Sequence, residues 1–159
     1  MIELKLLMLI LVANGTPILA RLLLGDRFAF PLDAGRTTAG GNAWLGHSKT
    51  VRGVVTAILA TAMGGVLLGM SWITGALIGL FAMLGDLAAS FIKRRIGLPP
   101  SSQALGLDQI PESLLPMLYC ASILDLEWTA VLRVVLEFWI SEILLSRLLF
   151  RLGIRRHPY

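Results

Sequence analysis

Charge is the scarcest property of this 159-residue chain. Asp, Glu, Lys and Arg together make up 15% of it, against roughly 25% in soluble domains. With 56% hydrophobic residues and a mean hydropathy of +0.78, the chain has more apolar surface than a water-soluble fold of this size can hide. That excludes an ordinary soluble domain, and it equally excludes a disordered chain, which needs the opposite composition. Cysteine occurs once, at Cys120, so there is no intramolecular disulfide framework. Histidine occurs twice, and His47 has no Cys or His partner nearby, which argues against zinc. No internal repeat is visible, so an inverted-repeat transporter has no support.

What is present is a series of long uncharged runs, each near the ~20 residues that span a bilayer core. Leu4 to Leu24 carries no charge between Lys5 and Arg21, and no small-residue cleavage site follows it. It reads as a span, not as a removable signal. Nothing is charged between Arg52 and Asp86, and with the flank to Ile92 this stretch holds two spans around a turn at Gly69-Met70-Ser71-Trp72. Further spans run from Asp108 to Leu124 and from Trp128 to about Phe150. The expected fold is therefore all-α: one integral membrane domain over residues 1–159, with five transmembrane helices.

The basic residues orient it. Twelve of the 14 Lys and Arg residues, all but Lys5 and Arg133, lie at one end of the spans or in the loops and tail joined to them. These are Arg21, Arg27, Arg36, Lys49 and Arg52, then Lys93 to Arg95, then Arg147, Arg151, Arg155 and Arg156. The positive-inside rule puts the N-terminus outside and the C-terminus in the cytoplasm of a cell-membrane protein. The net charge of +4 thus marks a membrane face and does not call for nucleic acid.

Polar side chains inside spans are costly and ask for a reason. Asp86 lies about 9 Å inside its span at the helical rise. It shares a face with Ser90 and with Lys93 or Arg94, at i, i+4 and i+7 or i+8. Such a face reads either as the wall of a cytoplasmic polar cavity or as a structural acid–base pair. Asp108-Gln109 opens the next span from the same side, as a helix cap or as a second carboxylate of a Mg²⁺ site completed by substrate phosphates. The stretch Gly35 to Gly53 is rich in glycine, hydroxyls and bases, a chemistry that cradles phosphate or simply faces solvent; it is not a Walker A loop. Asn14-Gly15-Thr16-Pro17 interrupts the first span, with Asn14 either lining the same cavity or bonding a neighbouring helix. Arg133 and Glu137 read as an i, i+4 pair, and Glu142 as a structural acid pairing with Arg147 or another helix.

One ordered set of motifs carries a resemblance. Ala13-Asn14 with Pro17, Ser48-Lys49-Thr50-Val51-Arg52-Gly53, Gly85-Asp86-Leu87, Ser90-Phe91-Ile92-Lys93-Arg94-Arg95 and Leu107-Asp108-Gln109 together resemble the CDP-archaeol synthases. These are five-span membrane cytidylyltransferases, similar to the core of CDP-diacylglycerol synthases. The likeness runs from about residue 10 to 118. It implies transfer of CMP from CTP to a membrane lipid phosphate, with pyrophosphate released and Mg²⁺ required. By the same likeness, Asp86, Lys93 and Asp108 become catalytic candidates, and Asp86 and Asp108 metal ligands. Asn14, Ser48, Lys49, Arg52, Ser90, Arg94 and Gln109 become substrate-binding candidates. The alternatives are phosphatidate as acceptor, or a non-catalytic lipid-binding or transport protein. The chain departs from the family in two places. Archaeal members commonly follow Asp-Gln with a hydrophobic residue and a second Asp, where this chain has Ile110-Pro111-Glu112. One position along a helix turns a side chain by about 100°. The loop Pro99 to Gln103 also differs and bears on specificity.

Overall fold

The computed structural model describes residues 1–38 and 40–153. Ala39 of the glycine-rich loop and the basic tail residues Arg155 and Arg156 lie outside them. Among the described residues there are five α-helices and no strand: α1 (Ile2–Leu24), α2 (Val51–Leu67), α3 (Trp72–Arg95), α4 (Gln109–Leu124) and α5 (Trp128–Arg151). The uncharged runs of the sequence become these helices almost residue for residue. Helices α1 and α3 are long and apolar enough to cross a membrane, while α2 and α4 are shorter, at 17 and 16 residues.

The expected turn between α2 and α3 is there, and its chemistry is local. Gly69 takes φ 72°, the left-handed conformation that closes a helix, and the Met70 N–H returns to the Gly65 carbonyl at 2.8 Å. The Ser71 side chain then caps α3 by accepting the Ile73 N–H at 3.2 Å. Helices α2 and α3 pack closely because the residues between them are small. A Cβ at Gly75 would fall 2.3 Å from the Thr61 carbonyl oxygen, and one at Gly79 2.1 Å from the Thr61 hydroxyl. Small residues let helix backbones approach where lipid offers no hydrophobic drive.

The bundle is apolar at one end and polar at the other. Leu6, Leu9 and Ile10 of α1 form a buried core with Ile78, Met117, Cys120, Val131, Val134 and Phe138. A second cluster of small residues, Ala13, Ala57 and Ala82 with Met83, lies next along α1. Beyond it the buried residues turn polar: Ser90, Lys93, Arg94, Gln109, Glu112 and Ser146.

Two local expectations are corrected. Helix α1 is not interrupted at Asn14–Pro17 but runs through Pro17. The Asn14 amide and the Thr16 hydroxyl bond back to the Ile10 and Val12 carbonyls at 3.0 and 2.6 Å. Arg133 does not pair with Glu137; it reaches Glu3 of α1 at 3.0 Å, because the packing of α1 on α5 brings that acid closer. Lys5, the other base away from the main basic face, caps α2 by donating to the Leu68 carbonyl at 2.6 Å. Gly75→Ala should force α2 and α3 apart, costing about 1–3 kcal/mol as overpacking does. Thermal unfolding in detergent measures this, and an unchanged midpoint would show that the contact yields freely.

Candidate active site

Lys49 reaches the site from outside the helices. The segment before α2 runs beside residues 30–32: the Leu32 N–H donates to the Lys49 carbonyl at 2.9 Å and the Val51 N–H to Phe30 at 3.0 Å. Thr50 then caps α2 through the Gly53 N–H at 3.1 Å. Held in this way, the Lys49 ammonium donates to both carboxylate oxygens of Asp86 at 2.6 Å. Both side chains are only about one-fifth exposed. Burial alone would lower the Lys49 pKa, but the carboxylates of Asp86 and Glu112 outweigh it and hold it above the ordinary value. Lys49 is therefore a fixed cation.

The Asp86 carboxyl group also lies close enough to that of Glu112 for the two to interact. Gly85 makes this possible. A Cβ there would fall 2.1 Å from the Pro111 carbonyl oxygen and 2.7 Å from the Glu112 nitrogen, so α3 and α4 touch backbone to backbone beside the two acids. Glu112 is 8% exposed. Glu112, one position beyond the acid expected in the Asp-Gln run, thus faces Asp86. Two carboxyl groups this close favour a proton or a cation between them.

Asp108 stands at the N-cap position of α4. One of its oxygens pairs with Lys93 at 2.5 Å and the other accepts the Ala104 N–H at 2.8 Å, so it fastens the α3–α4 loop. It gives α4 no side-chain cap. Lys93 also donates to the Ser102 carbonyl at 2.9 Å, and Arg94 to the Pro99 carbonyl at 2.7 Å. Both bases are buried beneath this loop. Gln109 turns towards α5 and donates to Glu142 at 2.6 Å. Ser90 is buried on the Asp86 face, and Asn14 bonds within its own helix.

A cleft of about 170 Å³ opens beside Asp86, lined by Arg21, Ser48, Lys49 and Arg52 among others. Arg52 donates to the Gly25 and Arg27 carbonyls at 2.9 and 2.5 Å and so pins the end of α1 at the mouth. The structure thus gathers Ser48, Lys49, Arg52 and Asp86 at one cleft, while Lys93 and Arg94 at the end of α3 and Asp108 bond the adjoining loop and Gln109 opens α4.

A family model described as CarS-like, CDP-archaeol synthase, matches residues 1–159. The chain belongs to this family. A CDP-archaeol synthase of Sulfurisphaera tokodaii is 34% identical over 135 residues, 81% of either chain. Those of Thermofilum pendens and Pyrococcus furiosus are 35% and 36% identical over 62% and 61% of this chain, matches that span 51% and 60% of their own lengths. A solved structure, titled as an intramembrane enzyme for archaeal membrane lipids biosynthesis, superposes with a TM-score of 0.75. It is 26% identical and the match covers 89% of this chain and 90% of that one. The chain is a membrane protein of the CDP-archaeol synthase family.

The donor set of this family member suits a hard cation. Asp86 and Glu112 offer carboxylate oxygens and no soft ligand. Among the described residues no three acids, thiols or imidazoles converge to enclose an ion alone. Mg²⁺ takes one or two carboxylates and draws its other ligands from water and phosphates, a shell to which Asp86 and Glu112 could contribute.

Two residues matter more here than their sequence context suggests. Glu112 is one. The other is Asp33, whose carboxylate accepts the N–H groups of Gly35, Leu45 and Gly46 at 3.0, 2.9 and 3.0 Å. Its signal was the turn-forming run Asp33-Ala34-Gly35. Burial would raise the Asp33 pKa, but the Gly46, Leu45 and Gly35 N–H groups outweigh it and hold it below the ordinary value. A depressed carboxylate stabilises above its unfolded pKa of about 4 and loses that contribution as pH falls through its lower folded value. Hydrogen-exchange protection at Leu45 and Gly46 should therefore persist at pH 5–7 and collapse below about pH 4. In Asp33→Asn it should be low throughout with no acid transition, and protection that ignores both changes would remove Asp33 from this role.

Proposed function

We propose that this five-span enzyme transfers CMP from CTP to the phosphate of an archaeol-type ether lipid, with its site facing the cytoplasm. CTP-dependent formation of a CDP-lipid in membrane lipid biosynthesis is the activity of its family. The observation that carries the finer reading is the cleft where Lys49 pairs with Asp86, with the Glu112 carboxyl group close behind, under a rim of Arg21 and Arg52. It opens at the end of the bundle to which the basic loops belong, the end the positive-inside rule assigns to the cytoplasm. Water-borne CTP and a lipid headgroup meet there while the lipid chains stay in the bilayer.

A phosphate monoester carries close to two negative charges at neutral pH, so its oxygen needs no strong general base. It attacks the α-phosphorus of CTP; the new P–O bond forms as the bond to the β-phosphate bridging oxygen breaks, and pyrophosphate leaves with that electron pair. The chain's task is to align two anions and offset their charge. Lys49 and Arg52 stand at the N-terminus of α2, where the helix dipole also favours phosphate. Ser48 lines the same cleft as a hydroxyl donor. Asp86 and Glu112 would hold Mg²⁺, which when bound neutralises triphosphate charge; Asp108 keeps Lys93 and the α3–α4 loop in place.

The test is labelled CTP with Mg²⁺ and a panel of lipid phosphates, ether-linked isoprenoid and phosphatidate. Labelled CDP-lipid and pyrophosphate are expected, most rapidly with the ether lipid. Asp86→Asn should lose at least about a hundredfold in turnover while staying inserted and folded. No turnover with any acceptor in folded protein overturns the reading in favour of a lipid-binding protein, and a preference for phosphatidate reassigns the acceptor. For orientation, a cysteine placed at Gln103 should react only from the cytoplasmic side, since Cys120 is buried; labelling from outside would invert the topology.

A further inference from the structure

Helix α5 lies beyond the motifs that carry the family likeness, and its acids read from sequence as structural. In the folded chain one of them is tied to the site. The Gln109 amide is held at both ends: its oxygen accepts the Gly106 N–H at 2.8 Å, and its nitrogen donates to Glu142 at 2.6 Å. Ser146 donates to the other Glu142 oxygen at 3.3 Å. Gln109 and Ser146 are each 2% exposed. Three residues on, along the same face of α4, lies Glu112, near enough to Glu142 for the two to interact electrostatically. Polar side chains thus extend from α5 through α4 towards Asp86 on α3.

We infer that Glu142 is a positioning residue of the transfer site: through Gln109 it fixes the first turn of α4, and with it the direction in which Glu112 meets Asp86. The inference rests on the reading of Asp86 and Glu112 as the acids of that site. The first N–H groups of a helix have no partner inside the helix, and Asp108 supplies no side-chain cap. In α4 the Ile110 N–H is met by the Gly106 carbonyl at 2.9 Å, and Gln109 holds that same loop residue through its N–H and the neighbouring helix through Glu142. A misplacement of about 1 Å in a reacting-site group costs on the order of a hundredfold in rate. A brace on Glu112 therefore acts on turnover, not on capture of CTP.

Isosteric exchange tests this without altering volume. Gln109→Glu sets a second carboxylate against Glu142, and kcat for CDP-lipid formation should fall by about tenfold or more. The KM for CTP should stay within about twofold. Combining Gln109→Glu with Glu142→Gln restores the bond with reversed polarity, the new amide on α5 donating to the new carboxylate on α4, which still accepts the Gly106 N–H. That double variant should recover to within about threefold of the parent kcat. Parent-level kcat in Gln109→Glu overturns the inference, as does a loss carried by the KM for CTP, which would make Gln109 a substrate contact. A folded double variant no better than Gln109→Glu overturns it too. Should Gln109→Glu alone fail to insert, the double variant decides the matter: activity supports the brace and a folded, inactive protein refutes it. Failure of the enzyme reading shows separately, as a parent protein without turnover.

Discussion

The contact between the Lys49 ammonium and the Asp86 carboxylate, 2.6 Å to each oxygen, constrains more of this structure than any other. An acid within a membrane helix is costly and needs a partner, yet α3 offers Asp86 none of its own: Lys93 and Arg94 bond the loop that follows them. The counter-charge comes from the long α1–α2 connection. To deliver it, residues 30–32 pair with 49–51, Thr50 starts α2 at once, and Asp33 folds the remainder of the loop back on itself. Buried pairs of this kind contribute little net stability, because desolvation offsets attraction, whereas removing one partner is expensive. The pair is better understood as fixing where a cation and an acid stand.

Polarity is segregated along the bundle, and this segregation explains how a small helical protein can hold charge. One end packs Leu, Ile, Val, Met and Phe from four helices. The middle narrows to alanine and glycine, which draws α1, α2 and α3 together. Close backbone approach there leaves the polar end as the place where helices and loops can enclose side chains of longer reach. Gly85 is the clearest instance: its missing side chain brings Pro111 against α3 and places Glu112 beside Asp86.

Much of the fold was legible because charge is so sparse. The uncharged gap from Arg52 to Asp86 had to hold two helices, and Gly69-Met70-Ser71 was its natural turn. The shared face of Asp86, Ser90 and Lys93 followed from helical period alone. What escaped was whatever depends on how far one helix slides against another. The shift from an expected acid to Glu112 looked like a turn of about 100° away from the site, a step that matters only if the helix axes stay fixed. The reach of Arg133 to Glu3, across nearly the whole chain, and the bond from Gln109 to Glu142 are invisible to local spacing for the same reason. Asp33 escaped differently: its role is to accept backbone N–H groups, which have no sequence identity to read.

The basic residues illustrate how one motif divides its labour. Lys49, Arg52, Lys93 and Arg94 look equivalent as phosphate binders in sequence, but their donors are committed to different ends. Lys93 and Arg94 lie buried beneath a loop whose carbonyls they already satisfy, so an anion would have to displace those bonds to reach them. Arg52 spends one guanidinium nitrogen on the Gly25 and Arg27 carbonyls and still lines the cleft. Lys49 carries three N–H donors, and Asp86 accepts from it through both oxygens, so an arriving phosphate meets an ammonium already fixed in direction. Positive charge placed before the substrate arrives costs no reorganisation when charge shifts during transfer. The same pairing keeps Asp86 oriented towards Glu112, and so a single lysine, brought in from a loop, organises both the anion-facing and the acid-bearing sides of the cleft.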